Sequence, residues 1–497
     1  MAGKENLAFI ETEKPRENCA VVGVFSRESD IANIAFNGLV ELNHRGQEGS
    51  GITLANGWRF ETIKDSGLTT IVFGLKHPLP LLENASIAIG HNRYSTSGSS
   101  HDLQPFVEDG IAIAHNGNLT NVRYLREQFN LPEEIDGAKS DSRVALAVIN
   151  RMKGSKQNRI ISGLKQFEGS YSFVFATDDA LIATRDPLGF RPLSLGRLKN
   201  GSGYVVASET AAFDAMESTY ERDIFPGETV VINDRGITTI ALDQRSEIAQ
   251  CIFELIYFSR IDSKVFGIPV VDFRARQGEI LARHIPDVDI VMSVPRSGIG
   301  ATEGVALSEE VIERGIVHKE GLYTNPYRSA VKGARTFILP NGRNKAAAKK
   351  YSANRYVLEG KRVCIVDDSI VRGSMSRVVE KLREAGASEV HALIASPPLK
   401  HPCRFGIDMA TYEELLANRI PDLEERRKCL GLDSLYYMTF SETMEAVVGN
   451  KVDIEDETVF EKNDFCGACF TGRYPISTEG AIPKEEVEPL ELEKAPA

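Results

Sequence analysis

Four groups of residues in this 497-residue chain have types and spacings suited to chemistry. The first is RVCIVDDSIVRGSMSRVVEKLREAG, residues 362–386. Val363 to Val366 reads as a buried strand, followed by Asp367, Asp368, a Ser/Gly loop and an amphipathic helix beginning near Arg377. Open parallel sheets bind ligands outside the carboxyl ends of their strands, so the two acids stand at a site mouth. Ser369, Arg372, Gly373, Ser374 and Ser376 add hydroxyls, a guanidinium and a backbone able to curl its N–H groups around a phosphate at a helix N-terminus. The carboxylates repel that phosphate and suit ribose hydroxyls, or a Mg²⁺ carried with a pyrophosphate. A lone Asp beside a Ser would mark only a helix start, whereas here the whole block is uninterrupted.

The second group is the acid-free run from Asn325 to Arg355, with Arg328, Lys332, Arg335, Arg343, Lys345, Lys349, Lys350 and Arg355. Charge runs are usually solvated loops. Just upstream of a pyrophosphate-type loop, this one is expected to be a lid whose cations, Arg335 and Lys350 among them, meet the leaving group. The third is Cys19, at the head of the apolar strand AVVGVF; position alone would make it packing filler. The fourth is Cys466-Gly-Ala-Cys469, a pair equally consistent with zinc, a redox dithiol or no function.

Further motifs give these groups a context. HRGQEGSGI (44–52), GHNRYSTSG (90–98), AHNGNLTN (114–121), KSDSRVA (139–145) and RDPLGFRPL (185–193) are similar, in this order, to the motifs of N-terminal-nucleophile glutamine amidotransferases. The 362–386 block resembles the phosphoribosyl pyrophosphate (PRPP) loop of type I phosphoribosyltransferases. The contexts QCIFELIYFSRIDS, PPLKHPCRFGIDM and DFCGACFTGRYP resemble the ligand sites of the iron–sulfur class of amidophosphoribosyltransferase.

The resemblance implies a role for each residue. Cleavage between Asn18 and Cys19 would free an α-amino group, which ordinarily titrates at ~7.7–8.0, to take the thiol proton without a histidine. Residues 1–18 are thus expected to be a propeptide. Asn116 and Gly117 would hold the tetrahedral oxyanion through a side-chain amide and a backbone N–H, although an Asn-Gly pair is also a common hairpin turn. Arg93 would bind the glutamine α-carboxylate and Asp141 its α-ammonium, with Tyr94 and Arg45 in support. In the transferase half, Asp367, Asp368 and the loop would hold PRPP, and Asp367, Asp368 and Ser297 a Mg²⁺. Cys251, Cys403, Cys466 and Cys469 would carry a [4Fe–4S] cluster, structural or oxygen-sensing, in preference to zinc; Cys364 and Cys429 are structural filler. The implied reaction moves ammonia from glutamine to C1 of PRPP, giving 5-phosphoribosylamine at the opening of purine synthesis. Purine nucleotides are the implied inhibitors and a homotetramer the implied assembly.

These residues need two scaffolds to position them. From Cys19 to about residue 245 short β-rich runs outnumber two helical stretches, near 31–43 and 140–165, an α+β pattern. From about 250 strands alternate with helices, as in βαβ crossovers and a mainly parallel sheet. The expected fold is an α+β N-terminal-nucleophile glutaminase domain of four αββα layers, residues 19–250, then an α/β type I phosphoribosyltransferase domain, residues 251–475. Residues 476–497 read as a flexible acidic tail. With 58 Lys+Arg against 70 Asp+Glu the formal charge is −12, which argues against broad binding to nucleic acid or anionic membrane. No run approaches ~20 apolar residues, so no membrane span is expected. Seven cysteines are too few for a disulfide scaffold, and with the leader's lack of an apolar core they point to the cytoplasm.

Three departures from the family pattern stand out. Ala20 follows the nucleophile where Gly is usual, Pro295-Arg296-Ser297-Gly298 replaces a loop with an acid and two hydroxyls, and the lid is long. The altered loop motivates a competing expectation: a paralogue that binds PRPP or nucleotide, or senses through an iron–sulfur centre, without transferring ammonia.

Overall fold

The structure, a computed structural model, describes residues 19–28, 30–94, 100–242, 247–324, 351–407, 409, 411–449 and 464–478. The leader, residues 325–350 of the expected lid with Arg335 and Lys350, and the tail beyond residue 478 lie outside the described residues.

Alternating apolar residues build the first half as two antiparallel sheets, of seven and six strands. Strand β1 (Ala20–Ser26) is apolar on both faces because both are covered. Ala20, Val22 and Val24 pack toward helix α1 (Ile31–Glu41), while Val21 and Phe25 join the core between the sheets. Asp30 caps α1 by accepting the Asn33 N–H. Beside β1 runs β2 (Ile87–Arg93), antiparallel, with Ala20 opposite Asn92. The six-stranded sheet contains β3 (Ile111–Leu119) and β4 (Gly169–Ala176). Its outer face packs Ile111, Ile113 and Phe173 against helix α2 (Asp141–Arg151). The layers therefore run helix, sheet, sheet, helix. The helical stretch expected over 140–165 is two helices, because Gly154 turns the chain at φ +108° before Lys156–Leu164; a further short helix, Val122–Gln128, carried too little periodicity to be anticipated.

The joint begins with β5 (Gln250–Cys251). Beyond it five parallel strands form one sheet in the spatial order Val317–His318, β6 (Ile290–Ser293), β7 (Arg362–Asp367), β8 (Glu389–Ile394) and Ser434–Tyr437. In chain order this reads 2-1-3-4-5, a doubly wound pattern with its switch point between β6 and β7. Helix α3 (Ile299–Leu307) follows β6 and helix α4 (Met375–Glu384) follows β7. Helix α4 starts at Met375, earlier than expected, because Met375 is itself buried and opens the stripe continued by Val378, Val379 and Leu382. Near the carboxyl end β9 (Phe465–Cys466) returns to pair in parallel with β5, setting Cys251 against Cys466. No helix among the described residues is long and apolar enough to cross a membrane.

Candidate functional site

The gap between the two sheets receives side chains from β1, β2 and β3 at its open end. The register that sets Ala20 against Asn92 brings Cys19, the next residue back, beside Arg93. Its Sγ lies 3.9 Å from the main-chain oxygen of Tyr94. Burial pushes the thiol pKa up, the Tyr94 contact and Arg93 oppose this, and Asp141 reinforces it. The thiol thus sits within electrostatic reach of one buried cation and one carboxylate. Ala20 is an ordinary strand residue without positive φ, so its replacement of Gly costs nothing here.

Across the gap Asn116 shares the parity of Ala112 and Ala114, which line the inter-sheet core. It is completely buried, yet neither Nδ2 nor Oδ1 has a hydrogen-bond partner. Unpaired buried polar groups cost about 1–3 kcal/mol each, and a side chain left open in this way is available to a ligand entering the gap. Gly117 follows at φ +149°, where a Cβ would lie 2.1 Å from the Ser170 oxygen; glycine alone fits. Asp141 heads α2 and accepts the backbone N–H of Leu119 (2.9 Å) and of Ser142 (2.7 Å). Burial raises its pKa, but His115 and these N–H groups outweigh it and hold the carboxylate below its ordinary range. His115 Nδ1 is 3.7 Å from Asp141 Oδ2 and 2.9 Å from Ser142 Oγ. Cys19, Arg93, Tyr94 and Asp141 are brought together, and the Asn116-Gly117 pair faces the same gap. His115 and Ser142 were not anticipated, although both lie inside recognised motifs.

A second site forms at the switch point. Ser297 Oγ donates to Asp367 Oδ1 at 2.9 Å, which also accepts the Asp368 N–H at 3.0 Å. Ser369 Oγ donates to Asp368 Oδ2 at 2.5 Å, and all three residues from Asp367 to Ser369 are buried. The two loops meet closely, since a Cβ on Gly298 would lie 2.1 Å from the Val366 oxygen. Arg296 occupies the left-handed region at φ +78°, a conformation costing a non-glycine residue on the order of 1–3 kcal/mol and typical of functional loops. The Arg372 guanidinium donates from Nε (2.8 Å) and from Nη2 to Glu414, while Ser376 Oγ donates to Gly373 O at 3.0 Å. Ser374 is exposed at the helix entry. Glu414 carried no sequence signal; it reads as one acid among many.

Four thiols gather at the joint. Burial pushes Cys251 up to about 12, with Glu254 and Cys403 adding to it against Arg191. Burial likewise raises Cys466 and Cys469, and each is pushed further by the neighbouring thiols. Cys403 Sγ accepts the Phe405 N–H at 3.4 Å. Among the described residues no group of three or more His, Cys, Asp or Glu is spaced to hold a single ion. Arg191 Nε is buried without a partner in electrostatic range of Cys251 and Cys403, a donor suited to sulfur carrying negative charge. The chemistry of four gathered thiols, two buried and two partly so, beside a buried cation would suit an anionic cluster on four thiolates. Cys364 is fully buried in β7 and Cys429 lies half-buried in the helix Leu423–Leu430.

The halves are joined by buried charge. Arg45 pairs with Glu209 and Glu254, and Arg191 Nη1 donates to Glu254 at 2.9 Å. Burial opposes ionisation of both acids, but Arg45 with His44 at Glu209, and Arg45 with Arg191 at Glu254, hold them well below the usual carboxylate range. Arg45, expected near the glutamine pocket, ties into the joint through these pairs, and its neighbour Gly46 packs against the Asn92–Arg93 backbone.

Comparison with known proteins points to one family. The family of the glutamine amidotransferase domain matches residues 91–215. Amidophosphoribosyltransferase 2, chloroplastic, of Arabidopsis thaliana is 43% identical over 476 residues, covering 93% of this chain and 80% of that protein. The amidophosphoribosyltransferase of Bacillus subtilis is 40% identical, covering 94% of this chain and 96% of its own. Among solved structures, glutamine PRPP amidotransferase from B. subtilis complexed with ADP and GMP matches with a TM-score of 0.82 at 38% identity, over 94% of this chain and 99% of that one. None of these relatives supports the expectation of a paralogue that does not transfer ammonia.

Proposed function

The chain belongs to the amidophosphoribosyltransferase family, and from that premise we propose how its residues share the reaction. The enzyme hydrolyses glutamine and transfers the ammonia to C1 of PRPP, giving 5-phosphoribosylamine, glutamate and pyrophosphate. The observation that carries the residue assignment is the buried, unpartnered Asn116 side chain beside Gly117, on the strand facing a thiol flanked by Arg93 and Asp141.

Arg93 pairs with the α-carboxylate of glutamine and Asp141 with its α-ammonium, setting the side-chain amide over Cys19. Cleavage before Cys19 supplies an α-amine that takes the thiol proton, needed because burial keeps the thiol protonated. As sulfur bonds to the amide carbon, the oxyanion takes hydrogen bonds from Asn116 Nδ2 and the Gly117 N–H. The proton returns to nitrogen, ammonia leaves, and water releases glutamate from the thioester. At the second site Asp367 and Asp368 hold the ribose hydroxyls and the 369–376 backbone the phosphate, presenting C1 for displacement of pyrophosphate. A Mg²⁺ held by Asp367, Asp368 and Ser297 would neutralise charge on the pyrophosphate. Cys251, Cys403, Cys466 and Cys469 would hold a [4Fe–4S] cluster, which supplies an oxygen-sensitive cross-link between distant stretches of chain. Purine-nucleotide inhibition, a homotetramer and a cytoplasmic setting complete the proposal.

Incubating the processed protein with glutamine, Mg²⁺ and PRPP tests the reading: glutamine-dependent pyrophosphate release is expected, and its absence overturns the assignment. Anaerobically purified protein is expected to be brown with broad visible absorbance; colourless, zinc-loaded protein would remove the cluster.

A further inference from the structure

The strand carrying Asn116 and Gly117 is held from the other half of the molecule. Directly after them, the Asn118 side chain donates through Nδ2 to the main-chain oxygen of Arg404 at 2.9 Å. Its partner in the ladder, Ser170, accepts the Asn118 N–H at 3.1 Å and donates through Oγ to the main-chain oxygen of Phe405 at 2.7 Å. That Phe405 oxygen takes a second bond from Arg191 Nη2 at 2.7 Å, and the Phe405 ring stacks on Phe190 with centroids 4.3 Å apart. Ser170 is fully buried, and its main-chain oxygen is the atom that closes off the space beside Gly117. One residue therefore both grips the 404–405 loop and bounds the glycine that donates to the oxyanion.

We propose that the Arg404 and Phe405 carbonyls buttress β3, and that Asn118 and Ser170 are positioning residues that set the aim of Asn116 and Gly117. The inference rests on the oxyanion role assigned above. Both donors stand beside the reacting pair, not in it, so losing them shifts the pair without removing any group that touches glutamine. Displacement by a fraction of an ångström weakens the oxyanion bonds while Arg93 and Asp141 still bind the substrate. Interface bonds with no positioning role would lower stability and leave the turnover of folded enzyme unchanged.

The test uses intact, iron-loaded protein as wild type, Asn118→Ala, Ser170→Ala and Ser170→Thr. Each is assayed for glutamine hydrolysis, for pyrophosphate release from PRPP with ammonia replacing glutamine, and for iron per chain. We expect kcat for glutamine to fall about tenfold to hundredfold in both alanine variants, with KM for glutamine, the ammonia-dependent rate and iron content unchanged. Ser170→Thr, which keeps the hydroxyl, restores most of the rate. Undiminished kcat in Asn118→Ala that retains its iron would overturn the inference, as would a parallel loss of the glutamine and ammonia rates. Wild-type protein lacking glutamine hydrolysis would sink the underlying assignment instead, a result distinguishable because it appears before any substitution is made.

Discussion

In the glutaminase half the reacting groups stand in the gap between two buried sheets, and Asn116 waits there with both polar ends unpaired. In the transferase half Asp367 ends a strand of the parallel sheet, Asp368 and Ser369 follow it into the loop, and each already has a partner: Ser297, the backbone, or one another. On the proposed assignment the first site leaves the Asn116 Nδ2 donor open for the oxyanion of its ligand. The second satisfies itself, and its ligand must exchange existing hydrogen bonds for new ones. Preorganisation of the first kind costs folding stability and favours the transition state, while the second kind is stable when empty and depends on substrate to rearrange it.

Substitutions can break this contrast. The largest effect is expected from Asp367→Asn with Asp368→Asn, which should take PRPP-dependent pyrophosphate release to background with glutamine or ammonia, leaving glutamine hydrolysis measurable. Asn116→Ala should lower kcat for glutamine by about 10²–10³. Because it removes unpaired buried groups, it should also raise stability by about 1 kcal/mol in thermal unfolding. Arg45→Met should destabilise the joint by about 3–5 kcal/mol by leaving Glu209 and Glu254 underpaired. The same pair makes the joint acid-sensitive: with folded pKa values depressed, its contribution is whole above the unfolded value of ~4.3 and declines progressively as pH falls from there through the folded values. Unfolding midpoints measured from pH 7 to pH 3 should drop over that lower range in wild type and more shallowly in Arg45→Met. Ser297→Ala is the smallest expected change and opposite in sign to Asn116→Ala: it should lower stability by about 1 kcal/mol and raise KM for PRPP a few-fold.

Legibility in the sequence followed locality. Asp367 and Asp368 could be read because an apolar strand, the acids and the loop are contiguous; Asn116, Gly117, Arg93 and Asp141 could be read because short motifs carry them. The alternation of β-rich runs, then of strand and helix, was enough for the two architectures. What escaped was pairing over long sequence separations. Glu254 and Glu209 look like ordinary acids until the fold buries them against Arg45 and Arg191, and Glu414 does so until Arg372 reaches it. The 403–406 loop drew notice only for its cysteine, because main-chain carbonyls such as those of Arg404 and Phe405 leave no trace in residue type.

The division of labour between the halves is tested most directly by Cys19→Ala, assayed side by side with glutamine and with ammonia as nitrogen donor for PRPP-dependent pyrophosphate release. We expect the glutamine-dependent rate to vanish and the ammonia-dependent rate to match wild type. Loss of both rates together in a folded variant, or survival of the glutamine-dependent rate, would contradict it.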